Sequence, residues 1–156
     1  MLMNESNAHN RYIVPDWFTK NVFNRSVRWL TRRGLSVAGS RELRVVGRSS
    51  GQVRTTAVNL LDVDGQRYLV SPRGTTQWVR NLRAAGTGEL RVGRRIEAVE
   101  ADELPDDAKP PVLKAYLDRW GWEIGRFFEG LDKHATVEQL AAIAPGFPVF
   151  RVTPKA

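Results

Sequence analysis

Short β-type segments separated by turn signals fill the middle of this 156-residue chain, and they restrict the possible folds more than any other feature. Runs rich in apolar and β-branched residues are predicted as strands at 43–46, 55–63, 67–70, 89–92, 95–101 and 148–152. Asp64-Gly65 and Gly93 supply hairpin turns within two of the strand pairs. Strands that are joined mainly by hairpins and interrupted by helices predict an α+β fold with an antiparallel, barrel-like sheet.

Helices are predicted beside these strands at 16–33, 76–85, 110–120 and 137–143, and a short helical piece is predicted after Gly121-Trp122. Asp16 and Thr136 are the expected N-terminal caps of the first and the last helix, and Gly121 is expected to end the third. The N-terminal helix is basic and amphipathic, so it packs either on its own domain or on a membrane surface, and the pattern leaves both open. Residues 1–12 are predicted as a flexible polar lead and residues 13–156 as a single domain.

The charge of the chain is unevenly distributed. Residues 1–96 contain 17 Lys or Arg and 6 Asp or Glu, a net +11, whereas residues 97–156 contain 7 and 11, a net −4; the sum is the +7 of the whole chain. A basic excess suits an anion pocket, nucleic acid or an anionic membrane. No segment interleaves aromatic and basic residues as base-stacking strands do, so nucleic acid is not an expected partner.

Several kinds of chemistry are not expected. The chain has no cysteine, and its two histidines, His9 and His134, lack a carboxylate or second histidine at ligand spacing, so no metal site is predicted. The motifs of a nucleophile elbow, a dinucleotide-binding loop and a triphosphate-binding loop do not occur. No apolar run reaches the roughly 20 residues of a membrane span, which together with the lack of cysteine predicts a cytoplasmic protein.

Two polar stretches, 47–56 and 71–82, place arginines and hydroxyl groups beside glycines next to predicted strands. Glycine lets the backbone approach an anion, hydroxyl and backbone N–H groups donate hydrogen bonds, and arginine binds oxyanions with a planar fork. The second stretch enters a helix at Thr75-Thr76, whose N-terminus also favours an anion. The two stretches predict a site for a phosphorylated, multiply anionic small molecule. With no catalytic side chain identified, such a site fits an enzyme whose cofactor performs the chemistry, or a binding protein.

At these two stretches the sequence resembles the deazaflavin-dependent nitroreductase family, split β-barrel oxidoreductases that use coenzyme F-420. The family pattern Gly-Arg-x-Ser/Thr-Gly-x-x-Arg-x-x-Pro and the later Trp-x-x-Asn-Leu element are matched at Gly47, Arg48, Ser50, Gly51, Arg54, Trp78, Asn81 and Leu82. Ser49 stands where the family often has a basic residue, and Ala57 where it usually has proline. The resemblance implies a split antiparallel β-barrel of the flavin-binding kind, with flanking helices.

The resemblance also implies which residues bind the coenzyme. They are Arg48, Ser49, Ser50, Gly51, Arg54, Thr55, Thr56, Val70, Ser71, Pro72, Arg73, Gln77, Trp78, Val79, Arg80 and Asn81. Of these, Arg48, Ser49, Ser50 and 54–56 are implied to meet the phosphate and the oligoglutamate tail, and 70–73 and 77–81 are implied to line the rest of the coenzyme. Aromatic residues are candidates for the acceptor pocket, although each of them also suits a hydrophobic core: Trp17, Phe18, Phe23, Tyr116, Trp120, Trp122 and Phe127.

The activity implied by the resemblance is hydride transfer from the reduced coenzyme to an electron-poor organic acceptor, such as an activated alkene, a quinone or a nitro compound. One alternative is a split-barrel oxidoreductase that uses flavin mononucleotide (FMN). Another is a protein without enzymatic activity that binds an anion, a lipid or a membrane. The number of subunits, one or two, and contact of the N-terminal helix with the inner face of a membrane are left open.

Overall fold

The computed structural model describes residues 11–12, 39–124, 127–128 and 130–156. Within these residues six strands close into a barrel in the order β1-β2-β3-β6-β5-β4. The strands are β1 (Ser40–Val46), β2 (Val53–Val63), β3 (Gln66–Val70), β4 (Thr87–Val92), β5 (Arg95–Glu103) and β6 (Val149–Pro154). The α-helices are α1 (Gln77–Ala85), α2 (Pro110–Ile124) and α3 (Val137–Ile143), with 3-10 turns at Asp106–Ala108 and Ala144–Gly146. The predicted α+β barrel is therefore confirmed, whereas the predicted helix 16–33 lies outside the described residues.

The predicted strands are all present, and their ends differ from prediction by a few residues. β1, for example, begins at Ser40 rather than at residue 43. Asp64-Gly65 forms the predicted turn between β2 and β3, with φ values of 52° and 80°. The Asp62 side chain supports this turn, because its Oδ1 accepts a hydrogen bond from the Gly65 N–H at 3.1 Å.

Helix α2 corrects one prediction, because it runs through Gly121 to Ile124 instead of ending near residue 120. A glycine inside a helix costs only about 1 kcal/mol relative to alanine. Packing outweighs this cost, since Leu117 and Trp120 of the same helix are almost completely buried. Within the described part of the chain, no helix is both long and apolar enough to cross a membrane.

The chain divides into two compact units. Among the described residues, the first unit takes those of 11–12, 61–76 and 103–151, and the second takes those of 39–60, 77–102 and 152–156. The single domain over 13–156 stays a prediction.

The first unit is built on an aromatic core. The rings of Tyr116 and Trp120 on α2 lie 5.0 Å apart, and Phe128 stacks on Phe147 at 4.4 Å. Trp120, Phe128 and Phe147 have no exposed surface, and Leu140 of α3 is buried in the same cluster. Large aromatic side chains that are buried together contribute strongly to stability, so this cluster holds α2 and α3 in place.

The second unit is a sheet in which β1 pairs with β2 on one side and β4 on the other, and β4 pairs with β5. All three pairings are antiparallel. The register sets Glu42 opposite Arg91 and Arg44 opposite Glu89, so two pairs of opposite charge cross from β1 to β4. Helix α1 packs against β1 and β4, which places its N-terminal turn in the same unit as the loop after β1.

Thr136 caps α3 with both hydrogen bonds of a capping box. Its Oγ1 accepts from the Gln139 N–H at 3.1 Å, and the Gln139 Oε1 accepts from the Thr136 N–H at 2.9 Å. Thr136→Ala is expected to lower the free energy of unfolding by about 1 kcal/mol, measured by urea denaturation. Thr136→Ser keeps the hydroxyl and is expected to stay close to wild type. A loss as large in the serine variant as in the alanine variant would contradict the capping role.

Candidate functional site

The loop that joins β1 to β2, residues 47–52, is a tight hydrogen-bonded turn. The Gly47 N–H donates to the Gln52 carbonyl at 2.8 Å, and the Gly51 N–H donates to the Gly47 carbonyl at 2.9 Å. A Cβ on Gly47 would lie 2.8 Å from the Ser50 Oγ and 3.1 Å from the Gln52 carbonyl oxygen. The close approach of the chain to itself therefore leaves little room for a side chain at position 47, and the turn fixes Arg48 at its start.

Arg48 connects this loop to helix α1. Its backbone N–H and its Nη1 both donate to the Asn81 Oδ1, at 3.1 and 2.7 Å, and its Nη2 donates to the Gln77 Oε1 at 3.0 Å. Gln77 and Asn81 are four residues apart on α1, so they lie on the same face of the helix. The structure thus brings the two polar stretches of the sequence together at three residues, Arg48, Gln77 and Asn81, which we call the Arg48 cluster.

The Arg48 cluster carries a positive charge that its own contacts do not neutralise. Both acceptors of Arg48 are neutral amide oxygens, and among the described residues no carboxylate forms an ion pair with Arg48. Asn81 is only 5% exposed, so it is a fixed partner, whereas Arg48 and Gln77 are exposed. A guanidinium group that is oriented by neutral partners and open to solvent is suited to bind an anion.

Further donors lie in the same loop and on the strand that follows it. Ser49, Ser50, Arg54 and Thr55 are exposed, and Thr56 is half-buried. The Ser50 Oγ already accepts a hydrogen bond from the Gln52 N–H at 3.2 Å, and its own hydroxyl proton is a donor. These residues therefore present hydrogen-bond donors to solvent, and they are close to Arg48 in the sequence.

The entry to helix α1 differs from the expectation that Thr76 starts the helix. The helix begins at Gln77, and the Thr76 Oγ1 is buried without a hydrogen-bond partner among the described residues. Thr76 therefore does not cap α1 through its side chain. A buried hydroxyl without a partner is costly, and it is a feature that a bound ligand can complete.

The predicted segment from Val70 to Arg73 lies in the first unit. Val70 belongs to the hydrophobic core, and Ser71 is buried, with its N–H donating to the Pro148 carbonyl at 2.9 Å and its Oγ to the Gly74 carbonyl at 2.5 Å. Pro72 and Arg73 are half-buried. The side chain of Ser71 is thus occupied in holding the loop, and the roles of this segment toward a ligand stay predictions.

The remaining predicted site residues fall into three groups. On α1, Trp78 is half-buried, Val79 is buried and Arg80 is exposed. In the first unit, Tyr116 and Trp120 lie inside the core, and Phe127 packs against it. The third group contains Trp17, Phe18 and Phe23, which are outside the described residues, and Trp122, which is outside the described side chains. The acceptor pocket stays a prediction, and the described side chains of Tyr116 and Trp120 have a clear structural role in the core.

Arg11 is a residue that sequence reasoning missed. It lies in the segment that is predicted as a flexible lead, and its side chain and its carbonyl group are hydrogen-bonded to other segments of the first unit. A single arginine in a polar segment carries no periodicity or motif, so the sequence held no signal for this role. Among the described residues no cluster of acidic residues and histidines suits a metal ion.

Comparison with known proteins decides which family these features belong to. A family model of the F420H(2)-dependent quinone reductases matches residues 24–122, more than half of the chain. The chain belongs to this family. The match includes both polar stretches and the whole Arg48 cluster, and it confirms the resemblance to F-420-dependent oxidoreductases. No curated protein sequence matches the chain.

Solved structures of the same fold are distant in sequence. One of them is the protein Atu2129, of unknown function, from Agrobacterium tumefaciens str. C58, which is 18% identical to this chain with a TM-score of 0.55. The matched region covers 92% of this chain and 58% of the Atu2129 chain. The F420-H2 dependent reductase FDR-A is 18% identical with a TM-score of 0.52, covering 74% of this chain and 94% of its own. A structure described as a domain-swapped dimer is also 18% identical, with a TM-score of 0.55, and the match covers 88% of this chain and 98% of the chain in that structure. At these identities the structures support the shared barrel fold.

Membership of the F420H(2)-dependent quinone reductase family makes the chain an oxidoreductase, with reduced F-420 as the family's reductant. The alternative of FMN as the cofactor has no support from the family match. A reductase that takes its electrons from a bound coenzyme agrees with a chain whose sequence offers no acid, base or nucleophile motif.

Proposed function

We propose that this protein binds reduced coenzyme F-420 through the Arg48 cluster and reduces an electron-poor organic acceptor, with a quinone as the first candidate. The observation that carries the proposal is the Arg48 guanidinium, which two amide oxygens orient and no described carboxylate neutralises. The name of the family supports the quinone, and activated alkenes and nitro compounds are the further candidates.

The donor set fits the coenzyme. The coenzyme that the resemblance implies, F-420, carries a phosphate and an oligoglutamate tail, so it presents several anionic oxygens. The exposed groups of the second unit are complementary to it, with the cations of Arg48 and Arg54 and the hydroxyls of Ser49, Ser50 and Thr55. Within 47–56 there is no acidic residue that would repel a carboxylate or a phosphate.

The residues of the chain have a binding and orienting role in this proposal. Asn81, which is buried, holds both the backbone and the side chain of Arg48, so the guanidinium is fixed before a ligand arrives. Gln77 fixes the second amino group of the same fork. When bound, reduced F-420 supplies a hydride to the acceptor, and a proton from solvent completes the reduction of a quinone to a hydroquinone. Holding donor and acceptor together is then the main contribution of the protein.

Titration with F-420 and, separately, with FMN tests the cofactor. Ligand fluorescence is followed as the purified protein is added to each, and we expect saturable binding of F-420 and no comparable binding of FMN. Turnover is then measured as oxidation of reduced F-420 with a quinone, a cyclic enone and a nitroaromatic compound in parallel. Binding of FMN alone would reject the proposal. Binding of F-420 with turnover of the enone only would keep the cofactor and replace the quinone.

A further inference from the structure

Arg11 joins three separate segments of the first unit through its side chain. Its Nη1 donates to the Pro72 carbonyl at 2.8 Å and to the Gly146 carbonyl at 3.1 Å, and its Nη2 donates to the Phe127 carbonyl at 2.6 Å. The guanidinium also lies over the ring of Phe147, 4.2 Å from its centroid. Only a planar fork with several donors can serve three carbonyl groups and an aromatic face at once, so a lysine cannot replace it.

The main chain of Arg11 holds the other end of the same loop. The Thr75 N–H donates to the Arg11 carbonyl at 2.6 Å, and Tyr12 forms an antiparallel bridge with Gly74. Gly74 has φ of 89°, and a Cβ there would overlap the Arg11 carbonyl oxygen and lie 2.6 Å from its carbonyl carbon. The close contact between the two segments therefore depends on glycine at position 74.

Residues 71–75, which we call the Pro72 loop, are thus gripped at both ends by one residue. The guanidinium of Arg11 donates a hydrogen bond to the Pro72 carbonyl, and the Arg11 carbonyl accepts one from the Thr75 N–H. Within the loop, the Ser71 Oγ donates to the Gly74 carbonyl and closes the turn. Two backbone hydrogen bonds also hold the loop, from the Ser71 N–H to the Pro148 carbonyl at 2.9 Å and from the Gly74 N–H to the Ser71 carbonyl at 3.2 Å. The two contacts with Arg11 add to these and restrict the part of the loop from Pro72 to Thr75.

We propose that Arg11 is a positioning residue for the coenzyme: it fixes the Pro72 loop in the conformation that binds F-420. This inference rests on the proposed function, and specifically on the predicted contact of Val70 to Arg73 with the coenzyme. Without the hydrogen bonds to Arg11, the Pro72 loop samples more conformations, and binding of the coenzyme then has to order the loop. The residue acts on affinity for the coenzyme and not on the chemical step.

The test compares Arg11→Met, which keeps the length of the side chain, with Arg11→Lys and with Arg151→Met as a matched control. Arg151 is an exposed arginine of the same unit on β6. We expect Arg11→Met and Arg11→Lys to raise both the Kd for F-420 and the KM for its reduced form about tenfold, with kcat at saturating coenzyme within about twofold of wild type. Arg151→Met is expected to match wild type. All assays are run well below the unfolding midpoint of each variant.

Hydrogen exchange supplies a readout that does not depend on the coenzyme. In Arg11→Met the amide of Thr75 is expected to exchange at least about tenfold faster, while amides of the Arg48 cluster keep their wild-type rates. Gly74→Ala, which displaces the Arg11 carbonyl from the other side, is expected to give the same pattern and covers the case in which an Arg11 variant does not fold.

The outcomes separate the two proposals. If wild type binds F-420 and the Arg11 variants bind it equally well although Thr75 exchanges faster, the positioning role is overturned and the proposed function stands. A fall in kcat with an unchanged KM would also overturn it. If wild type does not bind F-420, the proposed function fails and this inference fails with it, whatever the exchange rates show.

Discussion

Arg48→Ala is expected to weaken binding of F-420 by about 10- to 100-fold, because a charge-assisted hydrogen bond to an anion contributes about 1.5–3 kcal/mol. In the wild type, Asn81 and Gln77 already orient the guanidinium, so the Arg48 side chain loses little conformational entropy when the anion binds. The substitution removes this oriented group. The Kd is measured by titrating the fluorescence of the oxidised coenzyme. The free energy of unfolding is expected to fall by only about 1–2 kcal/mol, since two side-chain hydrogen bonds are lost while the backbone N–H of residue 48 still donates to Asn81.

Two further variants make the Arg48 result specific. Arg94→Ala removes an exposed arginine at the turn between β4 and β5 in the same unit, and it is expected to leave the Kd unchanged. Gln77→Glu keeps the size of the side chain but places a carboxylate beside the Arg48 Nη2, so it should weaken binding by neutralising the charge. If Arg94→Ala weakens binding as much as Arg48→Ala, general surface charge explains the affinity and the Arg48 cluster is not the site.

Trp120→Ala is expected to lower the free energy of unfolding by about 3–5 kcal/mol, the usual cost of truncating a large buried aromatic residue. Trp120 has no exposed surface, its ring lies 5.0 Å from that of Tyr116, and the Arg119 guanidinium lies 4.7 Å from its centroid. Removing it leaves a cavity that a close-packed core fills only in part. Urea denaturation, monitored by circular dichroism, gives the free energy of unfolding.

The same variant separates the two interpretations of the aromatic residues. Val137→Ala, on an exposed position of the same unit, is expected to change the free energy of unfolding by less than about 0.5 kcal/mol and serves as the control. If Trp120→Ala is as stable as wild type but raises the KM for the acceptor, Trp120 lines the acceptor pocket and our placement of it in the core is wrong. A large loss of stability agrees with the core.

The barrel could be predicted from the sequence because its strands are short, bounded by glycine turns and rich in β-branched residues. Those signals are local, and the Asp64-Gly65 turn adopts the positive φ values that its residue types favour. The end of α2 could not be predicted in the same way. Gly121 is a local signal for a break, but burial of Leu117 and Trp120 favours continuation, and burial depends on residues distant in the chain.

The candidate site could be predicted in composition but not in its contacts. Glycine, arginine and hydroxyl residues at 47–56 indicate an anion site without reference to the fold. The bonds from Arg48 to Asn81 span 33 residues and depend on how α1 packs against β1, which no local pattern determines. The contact of Arg11 with the Pro72 loop joins residues that are 61 positions apart, and no sequence pattern indicates it.

The order of strands in the barrel has a consequence for biosynthesis. The last strand, β6, lies between β3 and β5, so the sheet cannot close until residues 149–154 have left the ribosome. Until then β3 and β5 each present an unpaired edge, the kind of surface that recruits other nascent chains and chaperones. The barrel therefore closes only when β6 is available to pair with both of these edges.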